Sequence, residues 1–501
     1  MCSHATSIAI LSLLTASLSG QSIRLSRDGG TLGKPVTVTV TGTTNRAFFL
    51  LPSFNAGPTA LSLLDPSDPR KLQAGLDLIA LASAGIITPT GTKVVLPTPN
   101  AAGLAGQTLY FHAFLFPGTT RLAGPLSNPI RATLGSASRW LARGKIFAAA
   151  RAFPTVNRLA NGNVLVAGGG VGNLLGARGL ASTELWLADE QRFIPGPKMA
   201  IARALHRSVT LKNGKVLVIG GADQTGAPTR SCELYDPATN KFTSTGNLRT
   251  PRVGHTANLL PNGTVLVAGG TNNLTDVTKA VFGTLSSTEI YNPTTGTWSN
   301  GRNMSRRRLG AGSAVLPNGR ILITGGVTVN FIFPGVTSRC EVYDPTSNRF
   351  SGTGSLPRAA AAQELTALTN GQVLATGGAT LSGLTSIKAI PNAATYDPKT
   401  GRWSALPNMR DARSVHGAIQ IAAGRVLILG GGSGDLAAPK ALARCELLDL
   451  STRKFSAAAT LGIGRAAPAY FSVPEGFVVV AGGAGGTPSA TLQTGEYWFL
   501  P

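Results

Sequence analysis

Six arginines recur at one position of a repeating pattern: Arg151, Arg203, Arg252, Arg308, Arg413 and Arg465. Guanidinium groups gathered about a common axis would make an anion site. Three residues beyond three of them stand His206, His255 and His416, a residue type that binds metals through a ring nitrogen. A second register answers the arginines: Glu184, Glu233, Glu289, Glu341, Glu446 and Glu496. The single unit that lacks the arginine, with Ala360, also lacks the glutamate, with Ala394. Joint loss marks an ion pair. Removing one charge of a buried pair strands the other, and Arg offers a carboxylate a bidentate partner. The twelve residues are therefore read as structural ion pairs, one per unit, with Arg358 as a stand-in for the guanidinium missing at Ala360. The histidines fall in the second, third and sixth units, too far apart to converge, so no metal and no cofactor is expected.

The elements that position these residues follow from a second pattern. An apolar run ending in Gly-Gly occurs seven times, with its first glycine at Gly168, Gly220, Gly269, Gly325, Gly377, Gly430 and Gly482. The intervals are 52, 49, 56, 52, 53 and 52 residues, a period of the kind that builds propellers. Each unit reads as four strands. Turns such as KNGK and PNGT supply the positive φ angles of a tight hairpin before the apolar run. Asp/Asn-Pro turns such as DPATNK follow the third strand. An aromatic then opens the fourth: Phe193, Phe242, Trp298, Phe350, Trp403 and Phe455. The seventh unit runs out of chain before a fourth strand. Trp140, in SRWLARGKI, holds the aromatic register ahead of the first unit. That strand is expected to pair with 494–500 and to close the ring, leaving no open edge.

Residues 138–501 thus resemble kelch repeats, the propeller type also seen in the central domain of galactose oxidase. The resemblance implies an all-β fold: a seven-bladed kelch-type β-propeller, preceded here by a small β-sandwich-like domain over 21–135, where segments such as KPVTVTVTG and TLYFHAFLF sit between Gly/Pro turns. It does not carry over the oxidase's copper site, because no Tyr-His pair occurs and the other candidate ligands occupy repeat registers. Cys232, Cys340 and Cys445 share one register in alternate units, too far apart for disulfides, and are expected as free thiols.

The apolar stretch Ile8–Leu18 is too short to span a bilayer and has the length of a signal-peptide core. Residues 1–20 are read as a leader. The mature chain is expected to be secreted, periplasmic or at the cell surface, without a transmembrane anchor, and to act as a single copy. The net charge of +23 is spread along the chain with no nucleic-acid module, so no specific nucleic-acid binding is expected.

With the register residues assigned to the scaffold, function falls to the variable loops. In kelch propellers the loops after the Gly-Gly strands and those before the first strands share one face. The loops of units 3 and 4 offer Asp276, Lys279, Phe282, Asn330, Phe331 and Phe333, a polar-aromatic set suited to a glycan or protein partner. The reading is a binding or scaffold protein; the alternative is a carbohydrate-active propeller enzyme, sugar oxidase- or mutarotase-like.

Overall fold

The structure is a computed structural model that describes residues 22–63, 68–75, 77–78, 81–116, 123–171, 177–330, 333–382, 386–436, 438–474, 476–485 and 490–500. The leader assigned to residues 1–20 lies outside them. The chain divides into two compact units, 1–134 and 135–501. No helix among the described residues is long and apolar enough to cross a membrane.

In the described part of the first unit, alternation along the strands builds two larger antiparallel sheets, beside a two-stranded pair of Thr59–Ala60 with Lys71–Leu72. One contains Ile23–Asp28, Val36–Gly42 and Thr92–Leu96; the other contains Ser83–Ile86, Ala47–Ser53, Thr108–Phe116 and Ile130–Thr133. Inward side chains of both, among them Val38, Val40, Phe48, Leu50 and Phe111, form one core cluster.

Among the described residues, the second unit holds seven four-stranded antiparallel sheets. Their inner strands are, in blade order, Thr155–Arg158, Arg207–Thr210, Thr256–Leu259, Gly312–Val315, Glu364–Ala367, Gly417–Ala422 and Ala469–Val473. Each inner strand neighbours the next, and the seventh neighbours the first. The outermost strand of the seventh sheet is Trp140–Lys145, with Trp140 opposite Trp498. The second strands are buried along their length because sheets cover both faces. The third-strand aromatic packs at a tilt against the fourth-strand aromatic in each of four blades, as with Tyr291 and Trp298 at 5.1 Å.

The arginines and glutamates are the joints between blades. Arg252 is fully buried; its Nη1 donates to the carbonyls of Gly269 (2.9 Å) and Ser287 (3.0 Å), and its Nη2 to Glu289 Oε1 (2.6 Å). Glu289 also accepts the Arg249 and Thr250 amides, which lie on the linker from the preceding blade. The same pairing joins Arg151–Glu184, Arg203–Glu233, Arg308–Glu341, Arg413–Glu446 and Arg465–Glu496. The arginine backbone serves the neighbour: the Arg252 carbonyl accepts the Gly221 amide of the blade before. This contact explains the glycine pair. A Cβ on Gly220 would stand 2.8 Å from the Arg252 carbonyl oxygen, and one on Gly482 2.6 Å from that of Arg151, which carries the seam across the closure. Arg358 does not take the missing place in blade 5; it borders a void of about 50 Å³ together with Ala360, Gln363 and Ala394.

The thiols of Cys232, Cys340 and Cys445 are buried and unpaired with one another. Each donates to a carbonyl two residues back, and burial pushes each up to about 11. A thiolate is the reactive form. All three should therefore resist a thiol reagent such as dithionitrobenzoate in the folded protein and react fully in guanidinium. Rapid reaction of the native protein would contradict this packing.

Candidate functional site

One residue past the histidine position, the inner strands carry a register of which five members border the central cavity: Thr155, Arg207, Thr256, Gly312 and Glu364. The register reads Thr155, Arg207, Thr256, Gly312, Glu364, Gly417 and Ala469 in blades 1 to 7. Small and neutral residues fill five places. Blades 2 and 5, nearly opposite in a ring of seven, carry a cation and a carboxylate. Both border a cavity of about 780 Å³ within the second unit, which Tyr470 of blade 7 also enters.

Tyr470 crosses blade 6 to donate its hydroxyl to Glu364 Oε1 at 2.6 Å. The crossing requires a small residue below it: a Cβ at Gly417 would lie 2.9 Å from the Tyr470 ring and 2.9 Å from Leu429. Burial pushes Glu364 up to about 7, against the opposing pull of the Tyr470 hydrogen bond and of Arg207. Burial and the Glu364 charge raise the Tyr470 phenol well above its ordinary value, so the tyrosine stays protonated and donates. Burial lowers Arg207 somewhat, with Glu364 acting in the other direction. Among the described residues the guanidinium is anchored at one nitrogen: Nε donates to the His255 carbonyl at 3.1 Å. Arg158, also on the cavity wall, donates to the Ser472 carbonyl.

The cavity mouth is built from strained backbone. Two residues past each register arginine, or past Ala360, the chain turns through positive φ: Phe153 56°, Leu205 53°, Gly254 62°, Gly310 62°, Ala362 51°, Val415 45° and Ala467 50°. Five of these are not glycine, and a β-branched Val there is uncommon. Hydrogen bonds hold the turn in place by linking it from blade to blade. Phe153 N–H donates to Ala467 O, Ala467 to Val415, Gly254 to Leu205, Gly310 to Gly254 and Ala362 to Gly310. All seven positions line the cavity. Around them the loops contribute aliphatic side chains, including Leu274, Val277, Val281, Ile387 and Leu436.

The residues singled out from sequence lie differently. The loop of blade 3 contains a short helix, Val277–Phe282, which the composition did not announce. Asp276 caps it by accepting the Lys279 amide at 2.7 Å, and Lys279 Nζ returns to Asp276 at 3.5 Å. These two charges are thus engaged with each other. Phe282 and Phe333 are exposed and stand apart from the cavity wall. Asn330 ends a strand, Val327–Asn330, and Phe331 lies outside the described residues. The helix matters through its other face, where Val277, Ala280 and Val281 border the cavity. Arg207, Glu364 and Tyr470 belong to no repeating register of their residue type, so repetition does not reveal them. The available signal was the opposite one: charge at an inner-strand position where the other blades carry Thr, Gly or Ala.

The histidines do not form a ligand set. His206 and His416 are buried with Nε2 against Thr155 Oγ1 (3.0 Å) and Thr376 Oγ1 (2.8 Å). Burial pushes His416 down to about 3 and holds His206 and His255 well below their usual value, so all three are neutral. With buried protonated thiols and a tyrosine committed to Glu364, the residues present do not fit a copper centre.

A family model described as the Kelch motif matches residues 203–249 and 252–305. Galactose oxidase of Gibberella zeae is 30% identical over 96 residues, 19% of this chain and 13% of that protein. Kelch-like protein 23 of Homo sapiens is 26% identical over 246 residues, 47% of this chain and 38% of the relative. The chain therefore spans well under half the length of these curated relatives. Among solved structures, a fungal alcohol oxidase of the AA5 family in complex with copper aligns with a TM-score of 0.53 at 16% identity, over 72% of this chain and 76% of that one. At that identity the likeness concerns the fold alone.

Proposed function

Because the chain is a kelch-repeat β-propeller, a scaffold type that binds proteins, we propose that it takes a peptide segment of a partner protein into the mouth of its channel. The observation that carries this is the cavity of about 780 Å³, with an aliphatic rim and a charged floor. A pocket of that size suits a few residues, apolar at the wall and oriented by a small number of polar groups. The rim favours a peptide over a glycan, since aliphatic side chains dominate it and the exposed Phe282 and Phe333 lie off the cavity wall. The apolar stretch Ile8–Leu18 supports action outside the cytoplasm. N-terminal sequencing of the mature protein beginning at Met1 would sink that part of the proposal.

The test is selection of binding peptides from a displayed library on the intact protein. Leu274 and Val277 are only partly covered, so changing both to glutamate leaves the blades intact. The pair Leu274→Glu, Val277→Glu should weaken a selected peptide by about tenfold or more, the equivalent of one to two lost apolar contacts. Phe333→Ala should leave it unchanged. The reverse result would move the binding surface to the outer loops.

A further inference from the structure

We propose that the channel floor is a carboxylate-binding site, in which the terminal nitrogens of Arg207 hold the acid group of a ligand whose apolar part packs on the rim. This rests on the reading of the cavity as a peptide site and names the group that its floor accepts.

Among the described residues two cations line the cavity, and Arg207 is the one with both terminal nitrogens open, since Arg158 spends Nη2 on the Ser472 carbonyl. Each register arginine spends its Nη groups on two carbonyls and a glutamate, as Arg203 does with Gly220, Ser231 and Glu233. Arg207 spends only Nε, on the His255 carbonyl. Its Nη1 and Nη2 have no protein partner among the described residues, and the side chain opens into the cavity. A guanidinium anchored at one edge presents the two parallel N–H groups that match a carboxylate. The anchoring also removes rotamer freedom before a ligand arrives, which lowers the entropy cost of binding.

The facing groups set the conditions. Among the described residues, the charged or titratable groups lining the cavity are Arg158, Arg207, Glu364, Tyr470 and His416, the last held neutral by burial. Glu364 Oε1 accepts from Tyr470, and Oε2 has no protein partner among the described residues. With Glu364 protonated, Oε2 is a hydroxyl that can donate to a second carboxylate while Arg207 holds it. With Glu364 ionised, the same atom is a like charge facing the ligand. Since burial pushes Glu364 up to about 7, the protonated form prevails below that pH. Carboxylate affinity should therefore be higher at pH 6 and fall as the pH rises through about 7.

The same chemistry has two sources: the α-carboxylate at a peptide's end, and the side chain of an internal Glu. The experiment begins with hexanoate and its neutral counterpart hexanamide, titrated into the full chain by calorimetry at pH 6. Hexanoate should bind at least about tenfold more tightly. Arg207→Gln should abolish the difference with an unchanged melting temperature, and Glu364→Gln should remove the pH dependence. Equal affinity for the two probes, or a preference that survives Arg207→Gln, overturns the proposal even where selected peptides bind the rim. Hexanoate binding without any peptide binding instead defeats the peptide reading and leaves the carboxylate site standing. Acetyl-Ala-Ala-Leu as free acid and as amide, beside acetyl-Ala-Glu-Leu amide, then decide the source: the acid that gains affinity over the neutral amide is the one the floor accepts.

Discussion

Arg252→Ala should lower the stability of the propeller by about 3–5 kcal/mol, the loss expected when one member of a buried pair is removed. The guanidinium is fully enclosed and makes three contacts at once, to Gly269, Ser287 and Glu289. Truncation leaves two carbonyls short of a donor and a buried carboxylate with only the Arg249 and Thr250 amides. Those amides belong to the linker from blade 2, so the damage also loosens the joint between two blades. Glu289→Gln should cost less, because its one amide oxygen can still accept from Arg252 and Thr250, and only the Arg249 amide loses its acceptor. Denaturant titration monitored by tryptophan fluorescence measures both. A cost for Arg252→Ala within about 1 kcal/mol, the range of exposed pairs, would mean that the joint is not held by this charge pair.

Blade 5 supplies the complementary prediction. It has Ala360 and Ala394 in the two registers, and a void of about 50 Å³ between them. Ala394→Glu alone should be destabilising by about 3–5 kcal/mol, since it buries an uncompensated carboxylate. Adding Ala360→Arg should recover most of that loss, with a coupling of about 2–3 kcal/mol between the two sites. The cycle asks whether the pair is a module that any blade can carry. Costs that simply add would show that blade 5 has repacked around its alanines, with Gln363, bonded to Thr324, as part of a different joint.

The parts of this fold that sequence made legible are those set by repetition. Seven Gly-Gly strands, seven aromatic fourth strands and an Arg–Glu pair present in six units and jointly lost in the remaining one each repeat a constraint, so chance matches are averaged out. The reason for the glycine pair was less visible, because it depends on a carbonyl in the next blade, about 30 residues along the chain, as from Gly220 to Arg252. The strained turn at Leu205, Ala362 and Val415 left no trace in residue type, since the blade-to-blade hydrogen bonds rather than glycine hold it. The channel floor was hidden for a related reason. Arg207, Glu364 and Tyr470 each occur once, in blades 2, 5 and 7, and only the closure of the ring brings them to one cavity. The helix at Val277–Phe282 is one turn and a half long, too short for periodicity to reveal, and its Asp276 cap made a structural residue look like a ligand group.

Crystals of the intact protein with a selected peptide give the most direct test of where this propeller binds. The peptide should lie in the channel mouth, with an apolar side chain against Leu274 and Val277 and a carboxylate oxygen within hydrogen-bond reach of Arg207 Nη1 or Nη2. A peptide seated on Phe282 and Phe333, with the cavity still open and Arg207 untouched, would contradict the assignment of function to the channel.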